Sequence, residues 1–328
     1  MEVEKLLRDL REYPGLRRKA CVGDWARPFL AGQADGPLAL ACGPGDDAGA
    51  VALAEGFLLM AAESIWAPML DDAFFAGFCA VTVNVNDIYA MGGRPLGLVS
   101  IIQSGGFREK QRGSFLDGMR AGLEHYRIPM LGGHTSPDKG PPFAAASVVG
   151  FAKKLLRGDG ARPGHRLIAM IDMEGRRHPG FFAWDTVTGV DGKITLDKLE
   201  ALVLLADTGL CSACRDISNP GLMGTLAMLL EASGAGAHVN LDLVPALSGV
   251  DISWWLKAYP SFGFLLTAPE DNVRPVTRML EATLASTSVE WEVIGEVIEG
   301  SQITASWKGE NSLFLDWREH PVTRIYSY

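Results

Sequence analysis

Two adjacent carboxylates set among glycines, Gly43-Pro44-Gly45-Asp46-Asp47-Ala48-Gly49, stand at the mouth of an apolar run, with no basic residue within ten positions on either side. Like charges at contact raise each other's pKa, so such a pair is either solvated or neutralised by a cation, and oxygen-only donors suit Mg²⁺. A solvated turn is the alternative, Asp and Gly being the commonest turn residues. A second constellation is Asn84-Val85-Asn86-Asp87-Ile88-Tyr89-Ala90-Met91-Gly92-Gly93. Asn84 and Asp87, three apart, share one face of an otherwise apolar helix. An unpaired carboxylate there would cost several kcal/mol or take up a proton. It is therefore either hydrogen-bonded to Asn84 and backbone groups or bound to a metal. Between the two, Glu63 ends a strand and Asp71-Asp72 start a helix, with Asp72 in the position of an N-cap.

A third constellation, Leu131-Gly132-Gly133-His134-Thr135-Ser136, reads as a glycine turn whose bare amides can approach phosphate oxygens. The fourth is Arg215-Asp216-Ile217-Ser218-Asn219-Pro220-Gly221. Here Asn219 is placed to cap a helix that starts at Pro220 and ends at Gly234. Asp216, at the preceding strand end, could hold a cation while the helix amides hold phosphate, which lets an acidic protein bind a polyanion.

These motifs need elements to position them. Leu38 to Leu53 and Phe57 to Ala62 form a hairpin about Ala54-Glu55-Gly56. Phe74, Phe78, Val81, Val85 and Ile88 fall at helical spacing and predict a buried helix from Asp72 to Met91, stopped by Gly92-Gly93 and Arg94-Pro95. A strand at Leu96 to Ile102, a helix at Arg108 to Tyr126 and a strand at Phe143 to Phe151 follow. The first unit then has four strands, too few to close a barrel alone. Arg157 to His165 has linker composition. Beyond it, strands near Arg166–Asp172, Ala213–Ile217, Ala237–Leu241, Phe262–Ala268, Glu290–Val297 and Gln302–Trp307 alternate with helices near Leu196–Thr208, Pro220–Ser233 and Pro269–Ala285. That alternation predicts an α/β or α+β sandwich.

The 328 residues, 48% hydrophobic and 21% charged, have globular composition and suggest about two domains. A net charge of -9 repels phosphate backbones and anionic lipid, and no local basic patch offsets it, so neither nucleic acid nor membrane is expected as a partner. The longest strongly apolar stretch, Ala73 to Val83, is eleven residues, well short of the ~20 that span a bilayer. The amphipathic start, MEVEKLLRDLREY, lacks the features of a secretory signal, and five cysteines without framework spacing fit a reducing compartment. A cytoplasmic protein without disulfides is expected. Cys211-Ser-Ala-Cys214 is one pair without a second, better read as core than as a zinc or redox site. Trp254-Trp255 reads as core packing.

Taken in order, the four constellations resemble the superfamily of aminoimidazole ribonucleotide (AIR) synthetase, which includes selenophosphate synthetase, thiamine monophosphate kinase and the hydrogenase maturation dehydratase. Asp46-Asp47-Ala48 looks like the family's Gly-Asp-Asp-Ala-Ala strand. Asn86 to Pro95 is similar to the long motif of selenophosphate synthetase almost letter for letter. Gly132-Gly133-His134 resembles its nucleotide loop, Gly160 to Gly164 its domain joint, and Asp216-Ile217-Ser218 its second-domain metal motif. The resemblance implies a two-domain AIR synthetase-like α/β (α+β) fold: an N-terminal helical segment (1–36), an ATP-binding half-barrel sheet that dimerises (37–156) and a C-terminal α/β domain (157–328). It implies Asp47, Asp87 and Asp216 as magnesium ligands, with Gly45, Asp46, Glu63, Asn84, Gly132, Gly133, His134 and Thr135 around ATP. It also implies a homodimer whose half-sheets join into one barrel.

The departures narrow the activity. Residues 1 to 44 contain Lys19, Cys21 and Cys42 but no glycine-rich Cys or Lys loop of the kind selenophosphate synthetase uses. His134 stands where thiamine monophosphate kinase has an aspartate, Glu63 replaces an aspartate, and Asn219-Pro220 replaces an Asp-Gly. The Asp-Ile-Ser-Asn-Pro-Gly form looks like that of uncharacterised synthetase-related proteins. The expectation is ATP- and Mg²⁺-dependent phosphoryl transfer to, or phosphate activation of, a small-molecule acceptor. The alternative is a catalytically degenerate nucleotide-binding regulatory or scaffold protein.

Overall fold

The computed structural model describes residues 2–30, 39–138 and 140–326; Leu38, the expected hairpin's first residue, and the expected junction at residues 36 and 37 lie outside them. Helix α1 (Glu2–Arg11) carries Val3, Leu6, Leu7 and Leu10 at three- and four-residue spacing and buries all four. Two short helices follow, α2 (Pro14–Arg17) and α3 (Val22–Ala26), joined by a 3-10 turn at Arg18–Cys21.

The first sheet contains β1 (Leu40–Cys42), β2 (Gly49–Ala52), β3 (Phe57–Ser64), β4 (Arg94–Gln103), β5 (Met130–Ser136) and β6 (Phe143–Ala152), in the order β1-β2-β3-β6-β4-β5. The hairpin forms as its pattern predicts, β2 pairing antiparallel with β3. Gly56 turns the chain with φ of 84°, where a Cβ would lie 2.4 Å from the Ala152 carbonyl. Among the described residues the sheet has six strands rather than four and is open at both edges. The main correction is Leu131 to Ser136, which belongs to β5, an edge strand parallel to β4, and is not a loop. Gly133 allows this close pairing, since a Cβ there would sit 2.1 Å from the Ser100 carbonyl.

Helix α4 (Ala73–Ala90) starts where predicted, with Asp72 Oδ1 accepting from the Phe75 amide at 3.2 Å. Gly92 ends it with φ of 77°. The segment Ala67–Ala90 is apolar and long enough by composition to cross a membrane, yet sixteen of the eighteen residues of α4 are buried inside the protein. One side of α4 packs Ile88 and Met91 against Leu59 and Val148 of the first sheet. Other residues, including Phe78, Val81 and Val85, share a core with α5 (Glu109–Tyr126) and with the second half of the chain. Burial on all sides explains why the helix is apolar all round.

The second half comprises β7 (His165–Asp172), β8 (Arg176–Arg177), β9 (Ala183–Asp185), α6 (Gly192–Thr208), β10 (Ala213–Asp216), α7 (Gly221–Ser233), β11 (Gly236–Asn240), α8 (Ile252–Lys257), β12 (Tyr259–Pro260), β13 (Gly263–Pro269), α9 (Glu270–Leu284), β14 (Val289–Ile298), β15 (Gln302–Trp307) and β16 (Glu310–Asp316). Seven strands form one mixed sheet in the order β10-β13-β7-β14-β11-β15-β16, and β12-β9-β8 form a small one. Strand β7 shows why the run is continuously apolar. Leu167, Ala169 and Ile171 pack towards α1 and α7, and Ile168 and Met170 towards α6 and α9. The tandem Trp254 and Trp255 are core, as expected. The cap of α7 differs from expectation: Pro220 occupies the N-cap position without a side-chain cap, and Asn219 Oδ1 instead accepts from Arg18 Nη2 at 2.9 Å. The far end closes at Gly234 in the left-handed conformation.

Candidate functional site

A cavity of about 350 Å³ opens between the two halves of the chain. Asp46 and Asp47 reach it from the loop before β2, Glu63 from the end of β3, Asp87 from α4 and Asp216 from the end of β10. Lys19, on the turn between α2 and α3, also lines the cavity. Motifs dispersed over some 170 residues therefore meet because α4 lies between the first sheet and β10. Gly45 also lines the cavity; its φ is 118°, and a Cβ would lie 2.5 Å from the Tyr326 hydroxyl.

The sequence offers the Asp46-Asp47 pair no nearby basic residue, and the fold brings one from the other half. Arg215 Nη1 donates to Asp47 Oδ1 at 2.9 Å, and Nη2 donates to the Gly45 carbonyl. The Asp216 amide donates to Asp47 Oδ2 at 3.2 Å. Asp46 accepts from the Gly158 amide at 2.9 and 3.1 Å and from the Cys42 thiol at 3.3 Å. Only glycine fits at 158, because a Cβ would be 2.6 Å from Asp46 Oδ1. The carboxylate pair thus clasps the two halves together, and the Arg215 side chain is only 4% exposed.

Burial raises the Asp47 carboxyl to about 6; Arg215 works against that rise and Asp46 adds to it. Asp87 is pushed well above the usual carboxylate range, first by burial and then by Asp216, Glu63 and Asp47. Asp216 is raised likewise by burial, Asp47 and Glu63. Glu63 is within reach of water at the cavity wall, but protein on most sides thins its solvation and raises its carboxyl too. For Arg215, burial opposes the charge, but Asp47 and Asp46 outweigh it and keep the guanidinium protonated. Lys19 lowers Asp47, Glu63, Asp87 and Asp216 together without a salt bridge to any of them. Five carboxyl groups line the cavity against two cationic side chains, Lys19 and Arg215.

Among the described residues, no group of three or more acidic, His or Cys side chains forms a ready-made metal centre. Both Asp47 oxygens are engaged. The donor set nonetheless fits Mg²⁺ entering with a polyphosphate, since that ion keeps waters and takes one or two carboxylates plus phosphate oxygens. Asn86 supports the fit. It lines the cavity, its Nδ2 donates to the Ser261 carbonyl at 2.9 Å, and its buried Oδ1 has no hydrogen-bond partner.

The remaining expected residues lie elsewhere in the chain. Asn84 is fully buried and donates back to the Ala80 carbonyl at 2.9 Å, outside the cavity lining. Gly132, Gly133, His134 and Thr135 are exposed on edge strand β5 and do not line it either. Reading by motif missed Lys19, Asn86 and Arg215 as cavity residues, although Arg215 and Asn86 each flank a residue it chose. Cys211 and Cys214 are buried, and desolvation pushes both thiols up, to about 12 for Cys211, which disfavours the thiolate that zinc or redox chemistry needs.

Comparison with known proteins gives two family matches: the AIR synthase related protein N-terminal domain over residues 45–152 and its C-terminal domain over residues 167–308. An uncharacterised protein of Synechocystis is 36% identical over 283 residues, covering 85% of each chain. An uncharacterised protein of Methanocaldococcus jannaschii is 35% identical over 302 residues, covering 90% of this chain and 92% of its own. The selenide, water dikinase of Sulfurimonas denitrificans is 31% identical over 223 residues, covering 63% and 62%. Among solved structures, AaThiL complexed with AMPPCP and TMP superposes with a TM-score of 0.63 at 17% identity, over 89% of this chain and 95% of that one. Thermotoga maritima PurL complexed with ADP gives a TM-score of 0.68 at 19% identity; the match spans 81% of this chain but only 44% of PurL. At these identities the two structures share the fold.

Proposed function

The chain belongs to the AIR synthase-related family, and from that premise we propose that it is an ATP- and Mg²⁺-dependent enzyme that phosphorylates, or activates with phosphate, a small-molecule acceptor. The observation that carries this reading is the meeting of Asp47, Glu63, Asp87 and Asp216 with Lys19 around one cavity. Asp87 and Asp216 would hold the ion, with Asn86 Oδ1 available as a neutral oxygen donor. When bound, Mg²⁺ supplies charge neutralisation and alignment of the polyphosphate. Lys19 presents its ammonium to phosphoryl oxygens, and Arg215 keeps Asp47 and the Gly45 backbone in place. Relatives of the family include a protein named a dikinase and a fold neighbour bound to a nucleotide analogue, which fits this reading. The two domains follow residues 37–156 and 157–328, and the five free thiols suit a cytoplasmic setting.

The test is incubation of the purified protein with Mg²⁺–ATP and candidate acceptors, followed by product analysis. ADP points to a kinase or amide-type synthetase, AMP plus phosphate to selenophosphate-like chemistry. Absence of Mg²⁺-dependent ATP binding would sink the reading. The engagement of Asp46 and Asp47 by Gly158 and Arg215 favours one other possibility, a nucleotide-binding regulatory or scaffold protein. Tight Mg²⁺–ATP binding without consumption would select it.

We further propose a homodimer. Met60 on β3 and Leu96, Val99 and Ile101 on β4 are exposed beside buried residues and leave apolar surface uncovered. A second copy against that surface would close the half-sheets into one barrel and bring its Gly132 to Thr135 to the nucleotide. Sedimentation should give twice the chain mass, and Ile101→Asp should yield monomers with weakened Mg²⁺–nucleotide binding. A wild-type monomer that still binds Mg²⁺–nucleotide would exclude this arrangement.

A further inference from the structure

We infer that the acceptor is a planar, anionic small molecule, with its ring against Trp66 and Phe181 and its anionic group on Arg18. This inference rests on the proposed enzymatic reading and names the substrate class for the same site. A vestibule of about 790 Å³ adjoins the acidic cavity, and Trp66, Asn219 and Tyr259 line both. The vestibule wall is aromatic: Trp66 and Phe181 meet edge to face at 5.9 Å, and Tyr13 meets Phe182 at 5.3 Å. Trp66 is 45% exposed, a large ring left partly in water where the two spaces adjoin. Flat faces of this kind bury planar ligands at little conformational cost.

Charge selects the ligand's sign. Two cations line the vestibule, and Lys257 is already paired with Asp9. Among the described residues Arg18 makes no ion pair; its guanidinium lies 5.2 Å from the Trp66 ring centre, and there it donates only to Asn219 Oδ1 and the Pro14 carbonyl. Two of its five donors are used, which leaves a fork for a carboxylate or phosphate beside the ring. Glu12, the wall's other carboxylate besides Asp9, is also without an ion pair among the described residues, but Arg18 is the charge that touches residues shared by the two spaces. The placement is built in: a Cβ at Gly15 would lie 2.4 Å from the Asn219 carbonyl, so the Arg18 segment is pressed onto the loop before α7.

Calorimetric titration of the full chain with 2-naphthoate, 2-naphthol and cyclohexanecarboxylate tests charge and planarity separately. 2-Naphthoate should bind about tenfold tighter than either of the others. Arg18→Gln should abolish its advantage over 2-naphthol, and Trp66→Ala its advantage over cyclohexanecarboxylate. Equal or absent binding of all three by the wild type, or advantages that survive the substitutions, overturns the inference. 2-Naphthyl phosphate then sorts the anion: tighter binding than 2-naphthoate assigns a phosphate monoester, weaker binding a carboxylate, and both support the anionic class. Titration with Mg²⁺ and a non-hydrolysable ATP analogue keeps the two ideas apart. Wild-type nucleotide binding without probe discrimination defeats this inference alone, whereas absent nucleotide binding defeats the function beneath it.

Discussion

Asp87→Asn is expected to weaken Mg²⁺-dependent nucleotide binding on the order of a hundredfold or more while the folded chain becomes more resistant to heat. Both effects have one cause. Asp87 is 7% exposed, and its carboxyl is raised by burial and by Asp216, Glu63 and Asp47. Its charge is therefore costly in the metal-free protein and, on the function proposed above, is of use when a cation arrives. The amide has the same shape, lacks the charge, and relieves the repulsion. The pH dependence follows. A carboxyl with a raised folded pKa costs nothing below its unfolded value of 3.8, where both states are protonated. The cost grows as pH rises, reaching completion for Asp47 above about 6 and for Asp87 and Asp216 above their own raised values. Thermal stability of the metal-free wild type should fall from pH 5 to pH 8, and the Asn variant should fall less. Unchanged nucleotide affinity in that variant would remove Asp87 from the site.

Arg215→Met should cost about 3–5 kcal/mol in urea denaturation, because it leaves the Asp46-Asp47 pair buried without its cation. The clasp between the two halves would open at the same point, since Arg215 also holds the Gly45 carbonyl. Arg215→Lys keeps the charge but not the two-pronged grip, so it should fall between. Adding Asp47→Asn to Arg215→Met should recover much of the loss, as removing a whole buried pair is cheaper than breaking one. A Met variant that unfolds at the wild-type urea concentration would show that the ion pair contributes nothing in solution.

Much of the architecture was readable from local pattern. Phe78, Val81, Val85 and Ile88 at helical spacing gave α4, Asp72 its cap, and Gly92 its exit, because these depend on neighbours within one or two turns. The family was legible from four short motifs in order. Local pattern was a poor guide to the segment from Leu131 to Ser136. Its two glycines suggest a turn, yet they sit in β5, where Gly133 lies too close to the Ser100 carbonyl for a Cβ and Gly132 has a φ of 149°. Asn219 shows the same limit: it looks like a helix cap, but Arg18, 201 residues away, takes its oxygen.

The sequence by itself determined which acids and glycines the chain carries, in what order, and the family they belong to. Only the tertiary structure decided how those acids are balanced: Arg215 reaches Asp47 across 168 residues, Lys19 arrives from the amino-terminal turn, and Gly132 to Thr135 are left on the far edge. Charge type is written residue by residue. Charge balance depends on burial and on distances through space, which no spacing along the chain records.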